Sequence, residues 1–251
     1  MKKIITPAVV LQTRDMGESD LLVRLFTQKM GKIVGIAKGA KRSRKRFVNT
    51  FDIATLSHVK VYRPRGRELF LIEEAVLINT YENISSDTKS MVFASLILEL
   101  ILELSPECEP SPELFEIVTS YLASLTELGA KDDLLFTYTL RTLKKLGIPP
   151  LLNPCLRCGR ADPKANGGFF IPRAGGMVCT DCLDPLDQKI GFSRGVVMAM
   201  SLALDFPKER LPSINYNSAS KDEIKKALFA FLHHQLGKRM KSIDFIERYL
   251  E

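Results

Sequence analysis

Residues 9–40 read VVLQTRDMGESDLLVRLFTQKMGKIVGIAKGA, and this stretch decides the fold of the first third of the chain. Short runs rich in Val, Leu, Ile and Phe alternate here with turn residues, which is typical of β-strands. The connection at residues 28–31 is short and contains a glycine, so it predicts a hairpin between strands at residues 20–27 and 32–37.

The same pattern extends to both sides and predicts three more strands, at residues 4–13, 51–63 and 68–78. In the fourth strand, hydrophobic and polar residues alternate, so one face should be buried and the other exposed. The expected inward residues are Phe51, Ile53, Val59 and Val61, and the expected outward ones are Asp52, His58, Lys60 and Tyr62. Five strands in so short a segment predict a closed or nearly closed barrel. An OB-fold has this strand count, and a small barrel of another type is the alternative.

Beyond Asn79 the hydrophobic residues follow a helical period. The first helix should begin after the capping candidates Ser85, Ser86 and Asp87. Further helices are predicted at residues 112–128, 132–146, 193–204, 221–236 and 242–250. We therefore expect an α+β multidomain protein, with an OB-fold β-barrel at residues 1–79 and an α-helical domain at residues 80–251. A segment with four cysteines, at about residues 150–190, interrupts the helical domain.

Positive charge is concentrated in the predicted barrel. Residues 1–80 contain 16 Lys and Arg against 7 Asp and Glu, whereas the remaining residues contain 20 against 22. A concentrated excess creates a local positive potential that attracts a polyanion, so nucleic acid is the expected partner.

Two basic clusters lie in predicted loops. Residues 38–46 hold six cations, and residues 63–67 hold three. We expect the first to be a mobile loop, and both to neutralise phosphates and release counterions. The alternative is that such runs are only solvated loops. The predicted DNA-binding residues are Arg14, Arg24, Lys38, Lys41, Arg42, Arg44, Lys45, Arg46, Lys60, Tyr62, Arg63, Arg65 and Arg67. Stacking on bases and packing are equally open for Tyr62, whereas Phe47 fits the barrel core better.

Four of the five cysteines form two Cys-x-x-Cys pairs, Cys155 with Cys158 and Cys179 with Cys182. Two such knuckles supply the four thiolates that tetrahedral Zn²⁺ prefers, and four protein ligands leave no open position for catalysis. The spacing predicts one structural zinc ion per chain. A thioredoxin-like redox pair and an iron–sulfur cluster are the weaker alternatives.

Motifs for nucleotide binding and for a zinc protease are absent from the sequence. It contains no Gly-x-x-x-x-Gly-Lys-[Ser/Thr] loop, no Gly-x-Gly-x-x-Gly and no His-Glu-x-x-His. We therefore expect a protein that is not an enzyme. Thr6 and Pro7 precede any hydrophobic region of signal-peptide length, and no apolar stretch has the roughly 20 residues of a membrane span, so we expect a cytoplasmic location.

Several segments together resemble the RecO family of bacterial recombinational-repair mediators. They are residues 10–20, 25–31, 37–43, 146–150 and 236–242, with the cysteine quartet. The resemblance implies an N-terminal OB-fold, a helical C-terminal domain and a zinc element. It also implies binding of single-stranded and double-stranded DNA, strand annealing without ATP, and location at the bacterial nucleoid. The implied partners are RecR, RecF through RecR, the C-terminal tail of single-strand-binding protein, and RecA, which is loaded with its help.

By analogy, an acidic and hydrophobic tail needs an apolar groove edged with cations. One predicted helix offers this combination in Leu140, Arg141, Leu143, Lys144 and Lys145. Two other functions stay open from the residues alone. One is a nuclease whose basic loops position the substrate, and the other is a zinc-stabilised regulator that reads a duplex sequence.

Overall fold

The computed structural model describes residues 2–160, 168–205 and 213–250. The chain divides into two compact units, Met1–Gly129 and Ala130–Glu251. The first unit contains the barrel together with three helices. The boundary between the two compact units thus lies well after residue 79. The division into domains at residues 1–79 and 80–251 stays a prediction.

The first unit begins with five strands that form a closed barrel, which confirms the predicted OB-like fold. The strands are β1 (Ile4–Met16), β2 (Asp20–Thr27), β3 (Gly31–Ala37), β4 (Leu56–Tyr62) and β5 (Phe70–Asn79). Their order around the barrel is β1-β2-β3-β5-β4, and β4 returns to pair with β1. All pairs are antiparallel except β3 with β5, which are parallel over three residue pairs, from Gly35–Phe70 to Ala37–Ile72.

The predicted alternation in the fourth strand is correct only in its second half. Val59 and Val61 are completely buried in the barrel core. Ile53, however, is 57% exposed, because β4 starts at Leu56 and not at Phe51. Ala54 adopts a positive φ of 70°, so the backbone turns there and the period of two is broken. Phe51 nevertheless reaches the core, where its ring lies 5.3 Å from that of Phe47.

A loop from the helices covers the half of β3 that β5 does not reach. The Cys108 N–H donates to the Lys32 carbonyl at 2.8 Å. Lys32 is itself buried, and its Nζ donates to the Leu102 carbonyl at 2.6 Å. Burial lowers the pKa of Lys32, with opposing contributions from nearby carboxylates. This loop therefore satisfies backbone groups on an otherwise open strand edge.

Three helices complete the first unit: α1 (Glu82–Ser86), α2 (Thr88–Leu104) and α3 (Pro112–Leu128). Asp87 caps α2, because its carboxylate accepts from the Ser90 N–H at 2.8 Å. The other two capping candidates, Ser85 and Ser86, lie inside the short α1.

In its described residues, the second unit combines four α-helices with a small antiparallel sheet. The helices are α4 (Asp132–Lys145), α5 (Arg194–Asp205), α6 (Ser218–Leu236) and α7 (Lys241–Tyr249). The strands are β6 (Gly168–Ile171), β7 (Gly176–Cys179) and β8 (Ile190–Phe192), in the order β7-β6-β8. Sequence analysis did not predict this sheet, because strands of three or four residues are too short to show a period.

Gly31 gives the first testable prediction. Its φ is +66°, and an added Cβ would lie 1.9 Å from the Glu109 carbonyl oxygen, whereas Gly17 has a φ of +67° with nothing within 4 Å. The left-handed conformation alone should cost Gly17→Ala about 1–2 kcal/mol. Gly31→Ala should lose a further ~1–3 kcal/mol, because the packed loop must move. Urea unfolding of both variants measures the difference, and equal midpoints would contradict the close approach at Gly31.

Candidate nucleic-acid interface and metal centre

The first basic cluster, residues 38–46, is called the basic segment below. It is tied to the β1–β2 hairpin, whereas sequence analysis expected a mobile loop. The Gly39 N–H donates to Asp20 Oδ1 at 2.8 Å, and the Lys41 N–H donates to the Ser19 carbonyl at 3.0 Å. The hydrogen bond from Gly39 lowers the pKa of the Asp20 carboxyl, so this tie is made to a carboxylate at neutral pH.

Two cations of the basic segment already have carboxylate partners on the same hairpin. Lys41 Nζ lies 2.6 Å from Asp15 Oδ2, and Arg42 Nη2 lies 3.8 Å from Glu18 Oε2. An anionic ligand would therefore compete with an internal carboxylate for these side chains, more strongly at Lys41 than at the exposed Arg42–Glu18 pair. By contrast, no carboxylate in the described part of the chain forms a salt bridge with the exposed Arg44 or Lys45.

The end of the basic segment runs along β5. The Ala75 N–H donates to the Arg46 carbonyl at 2.9 Å, beyond the point where the pairing of β3 with β5 stops. Arg46 Nη2 donates to the Lys38 carbonyl at 2.9 Å, and its guanidinium lies 4.9 Å from the centre of the Phe47 ring. Phe47 is buried in the barrel core, as expected from the sequence.

The second basic cluster, residues 63–67, connects β4 to β5, in agreement with the sequence analysis. Arg63 is held in place, because its Nε donates to the Glu68 carbonyl at 2.9 Å and its guanidinium lies 5.2 Å from the centre of the Phe70 ring. Arg65 and Arg67 are exposed. The second cluster contacts β5 at Phe70, and the basic segment contacts it at Ala75. These two residues are five positions apart, or about 16 Å along a strand. Both clusters therefore lie beside the same strand.

The outer face of β4 carries the predicted Lys60 and Tyr62, and a carboxylate offsets part of its charge. Glu73 lies 2.6 Å from Lys3 Nζ and 3.6 Å from Lys60 Nζ. The hydrogen bond from Lys3 lowers the pKa of Glu73, so it is ionised at neutral pH. Lys3 Nζ also lies 5.8 Å from the centre of the half-buried Tyr62 ring. Tyr62 is thus a half-buried side chain beside cations.

The remaining two predicted DNA-binding residues lie on the β1–β2 ladder. Arg14 is exposed on β1, where it pairs in register with Leu22. Arg24 is half-buried on β2, and its Nη1 donates to Gln12 Oε1.

Sequence analysis missed three lysines that the barrel brings together. Lys2, Lys3 and Lys29 line a cavity of about 370 Å³ whose apolar lining comes from Ile4, Ile5 and Met30. Lys29 Nζ donates to the Ile5 carbonyl at 2.9 Å. Lys29 is distant in sequence from Lys2 and Lys3, and only the excess charge of residues 1–80 signalled this group.

The predicted partner groove on α4 is not formed. Leu140 and Leu143 are completely buried, so they offer no open apolar surface. Arg141 Nη1 donates to the Leu204 carbonyl at 2.8 Å, and Lys144 pairs with Asp205, so both cations bind the end of α5. Such contacts are typical of cations near a helix C-terminus. Lys145 is exposed.

The four cysteines of the second unit form one cluster. Cys155, Cys158, Cys179 and Cys182 place all their Sγ atoms within 4.8 Å of one another. Cys158 Sγ lies 3.8 Å from Cys179 Sγ. A tetrahedral site with Zn–S bonds of about 2.3 Å places its sulfur atoms about 3.8 Å apart, so the cluster fits the size of a zinc ion.

The backbone of the first knuckle is shaped for ligation. Gly159 has a φ of +67°, and its N–H donates to the Cys155 carbonyl at 3.0 Å, which closes the turn. The Cys179 N–H donates to Cys155 Sγ at 3.4 Å. The first knuckle is therefore connected to β7, from which the second begins.

The thiols of the cluster differ in acidity. Burial raises the pKa of Cys155, but backbone N–H groups outweigh it and lower that pKa to about 6. Hydrogen bonds with the Cys179 and Cys158 thiols raise the pKa of Cys182 to about 12. Four sulfur atoms at these distances cannot all ionise without a cation among them, which is what a metal ion supplies.

Both the N-terminal and the C-terminal parts of the chain match known protein families. Residues 1–81 match the family described as Recombination protein O N terminal, and residues 85–244 match Recombination protein O C terminal. The chain belongs to the RecO family. It is therefore a member of a family of DNA repair and recombination proteins.

Individual relatives match nearly the full chain. DNA repair protein RecO of Caldanaerobacter subterraneus is 30% identical over 246 residues, which cover 98% of both chains. The protein with the same name from Syntrophus aciditrophicus is 30% identical over 96% of this chain and 94% of its own. Within residues 2–160, 168–205 and 213–250, no helix is long and apolar enough to cross a membrane.

Proposed function

We propose that this chain binds single-stranded and double-stranded DNA through the barrel and anneals complementary strands without ATP. The observation that carries the proposal is the set of exposed cations in the two basic clusters, each of which contacts β5 through Arg46 or Arg63. These cations are Arg44, Lys45, Arg65 and Arg67, which have no salt-bridge partner in the described residues. Cations that contact phosphates recognise the charge of the backbone and not the edges of the bases. DNA binding should therefore show little sequence preference.

Annealing by such a surface needs no chemistry. Two complementary strands repel each other through their phosphates, and bound cations shield that repulsion. The free energy comes from base pairing and from released counterions, so no nucleotide has to be hydrolysed. Membership of a DNA repair family supports this function, because repair by recombination requires strands to be paired.

The proposed partners follow from family membership. We propose direct contact with RecR and with the C-terminal tail of single-strand-binding protein, and indirect cooperation with RecF and RecA, in the cytoplasm at the bacterial nucleoid. Because Leu140 and Leu143 are buried, the docking site of the tail is not assigned to α4.

The proposed cofactor is one structural Zn²⁺ held by Cys155, Cys158, Cys179 and Cys182. Four thiolates complete its coordination, so it would supply folding energy to the small sheet and no catalysis. The match between the 3.8 Å sulfur separation and tetrahedral geometry supports zinc.

The first test of DNA binding replaces Arg44, Lys45, Arg65 and Arg67 with Ala. The slope of log K against log salt for a single strand should flatten by about 2.8, because each lost contact removes about 0.7. Annealing of labelled complementary oligonucleotides should slow in parallel. The control replaces Lys131, Arg173, Arg194 and Lys226, four exposed cations of the second unit, and should keep the wild-type slope.

Two outcomes would contradict this assignment. An unchanged slope in the barrel variant would place the DNA elsewhere. Conversion of the labelled DNA to fragments in Mg²⁺, persisting through further purification, would instead indicate a nuclease.

A second test concerns the internal carboxylates. The double variant Asp15→Asn and Glu18→Gln releases Lys41 and Arg42, so single-strand affinity should rise and the salt slope should steepen by up to about 1.4. The matched control, Asp222→Asn with Glu127→Gln, removes the same charge far along the sequence from the hairpin and should have little effect. Equal gains in both variants would mean that only net charge matters.

A third test concerns the metal. Elemental analysis should find one zinc per chain in the wild type and in Cys108→Ser, whose cysteine is exposed and outside the cluster. Cys155→Ser with Cys179→Ser should bind no zinc and should lose structure around β6 and β7, measured by amide hydrogen exchange. Absence of metal from carefully purified wild-type protein would overturn the proposed cofactor.

A further inference from the structure

Two arginines of the first knuckle cross the cysteine cluster to the second. Arg157 lies between the ligands Cys155 and Cys158, and its Nη1 donates to the backbone carbonyl of Cys182. Its Nη2 lies 3.0 Å from Asp187 Oδ1 and 2.9 Å from Asp187 Oδ2. Arg157 therefore joins one knuckle to a ligand of the other and to the turn that follows it.

Arg160 makes a parallel but more exposed connection. Its Nη1 lies 2.7 Å from Asp181 Oδ2, and the two side chains are 60% and 65% exposed. The Asp187 side chain, by contrast, is only 16% exposed. Exposed ion pairs contribute little because water and salt screen them, whereas a shielded carboxylate with two contacts is held more firmly.

Asp187 is fixed on its other side as well. Its Oδ2 accepts from the Asp184 N–H at 3.1 Å, and its own N–H donates to the Asp184 carbonyl at 3.1 Å. The carboxylate is thus part of a closed turn and not a free side chain. A displacement of Arg157 would therefore also displace the segment from Cys182 to Asp187.

Such a connection affects how a metal ion leaves. Release begins when one ligand dissociates and its knuckle moves away. A link between the knuckles that does not pass through the metal keeps the dissociated thiolate close to the metal. That thiolate therefore rebinds before the other thiolates dissociate. Groups that orient ligands from outside the coordination sphere typically change metal affinity by about 10–100-fold.

We propose that Arg157 is a positioning residue that retains the metal by tying the second knuckle to the first, and that Arg160 contributes little. The inference rests on the proposed zinc site. It assigns different roles to two arginines three residues apart in the same knuckle.

The test measures zinc release from the full-length, zinc-loaded protein to an excess of a chromogenic chelator. Arg157→Gln should release zinc about 10–100 times faster than the wild type, whereas Arg160→Gln should stay within about threefold. Arg157→Lys should fall in between, because a single ammonium cannot contact Asp187 and the Cys182 carbonyl in the same geometry. Single-strand DNA affinity serves as a control and should be unchanged in Arg160→Gln and Arg157→Lys.

Asp187→Asn provides a second, milder variant should Arg157→Gln fail to fold. Asp187→Asn should increase the rate of zinc release. In the double variant with Arg157→Lys, the rate should increase by less than the product of the two separate increases, because both changes weaken the same contact. Wild-type rates in Arg157→Gln or Asp187→Asn, or equal rates for Arg157→Gln and Arg160→Gln, would overturn the assignment. A wild type that takes up no zinc would overturn both this inference and the zinc site, while leaving the DNA-binding proposal intact.

Discussion

The parallel pairing of β3 with β5 is the constraint on which the first unit depends. It closes the barrel with only three residue pairs, so most of each strand has an edge without a strand partner. Open edges need hydrogen bonds. The loop at Cys108 supplies one for β3, and the end of the basic segment supplies one for β5 through Arg46 and Ala75. Barrel closure thus determines where the first basic cluster lies.

The cations of this barrel fall into two classes, those with a carboxylate partner and those without one. Lys41, Arg42 and Lys60 face carboxylates of the same unit, so their positive charge is partly offset before any ligand arrives. Arg44 and Arg65 are exposed, and no carboxylate among residues 2–160, 168–205 and 213–250 forms a salt bridge with them. A surface of this kind favours a dense polyanion over a single anion, because only closely spaced phosphates can replace several internal carboxylates at once. That selectivity needs no contact with a base.

Sequence analysis predicted most elements because their periods are long enough to be read. The barrel strands and the helices at 112–128 and 132–145 were found in this way. It failed where tertiary contacts override local pattern. Ile53 shares parity with Val59, yet a positive φ at Ala54 separates them. Leu140 and Arg141 match an amphipathic groove in sequence, but a helix has no open groove when α5 and α6 pack against it. The lysines of the cavity form no motif, because only the fold brings the β2–β3 turn that carries Lys29 beside Lys2 and Lys3.

The cysteine cluster shows what the proposed metal would contribute at this point in the chain. A sheet of three short strands buries too little apolar surface to be stable alone. Its small core cluster consists of Cys155, Ile171, Val178 and Cys179, so two of its four buried members belong to the cysteine cluster. Without a cation the four thiols cannot all ionise, so some would stay protonated and the cluster would lack the bonds that a metal ion adds. With the proposed zinc, metal binding and core formation would be one event, and Arg157 would act on both because it holds together the two chain segments that carry the cysteines.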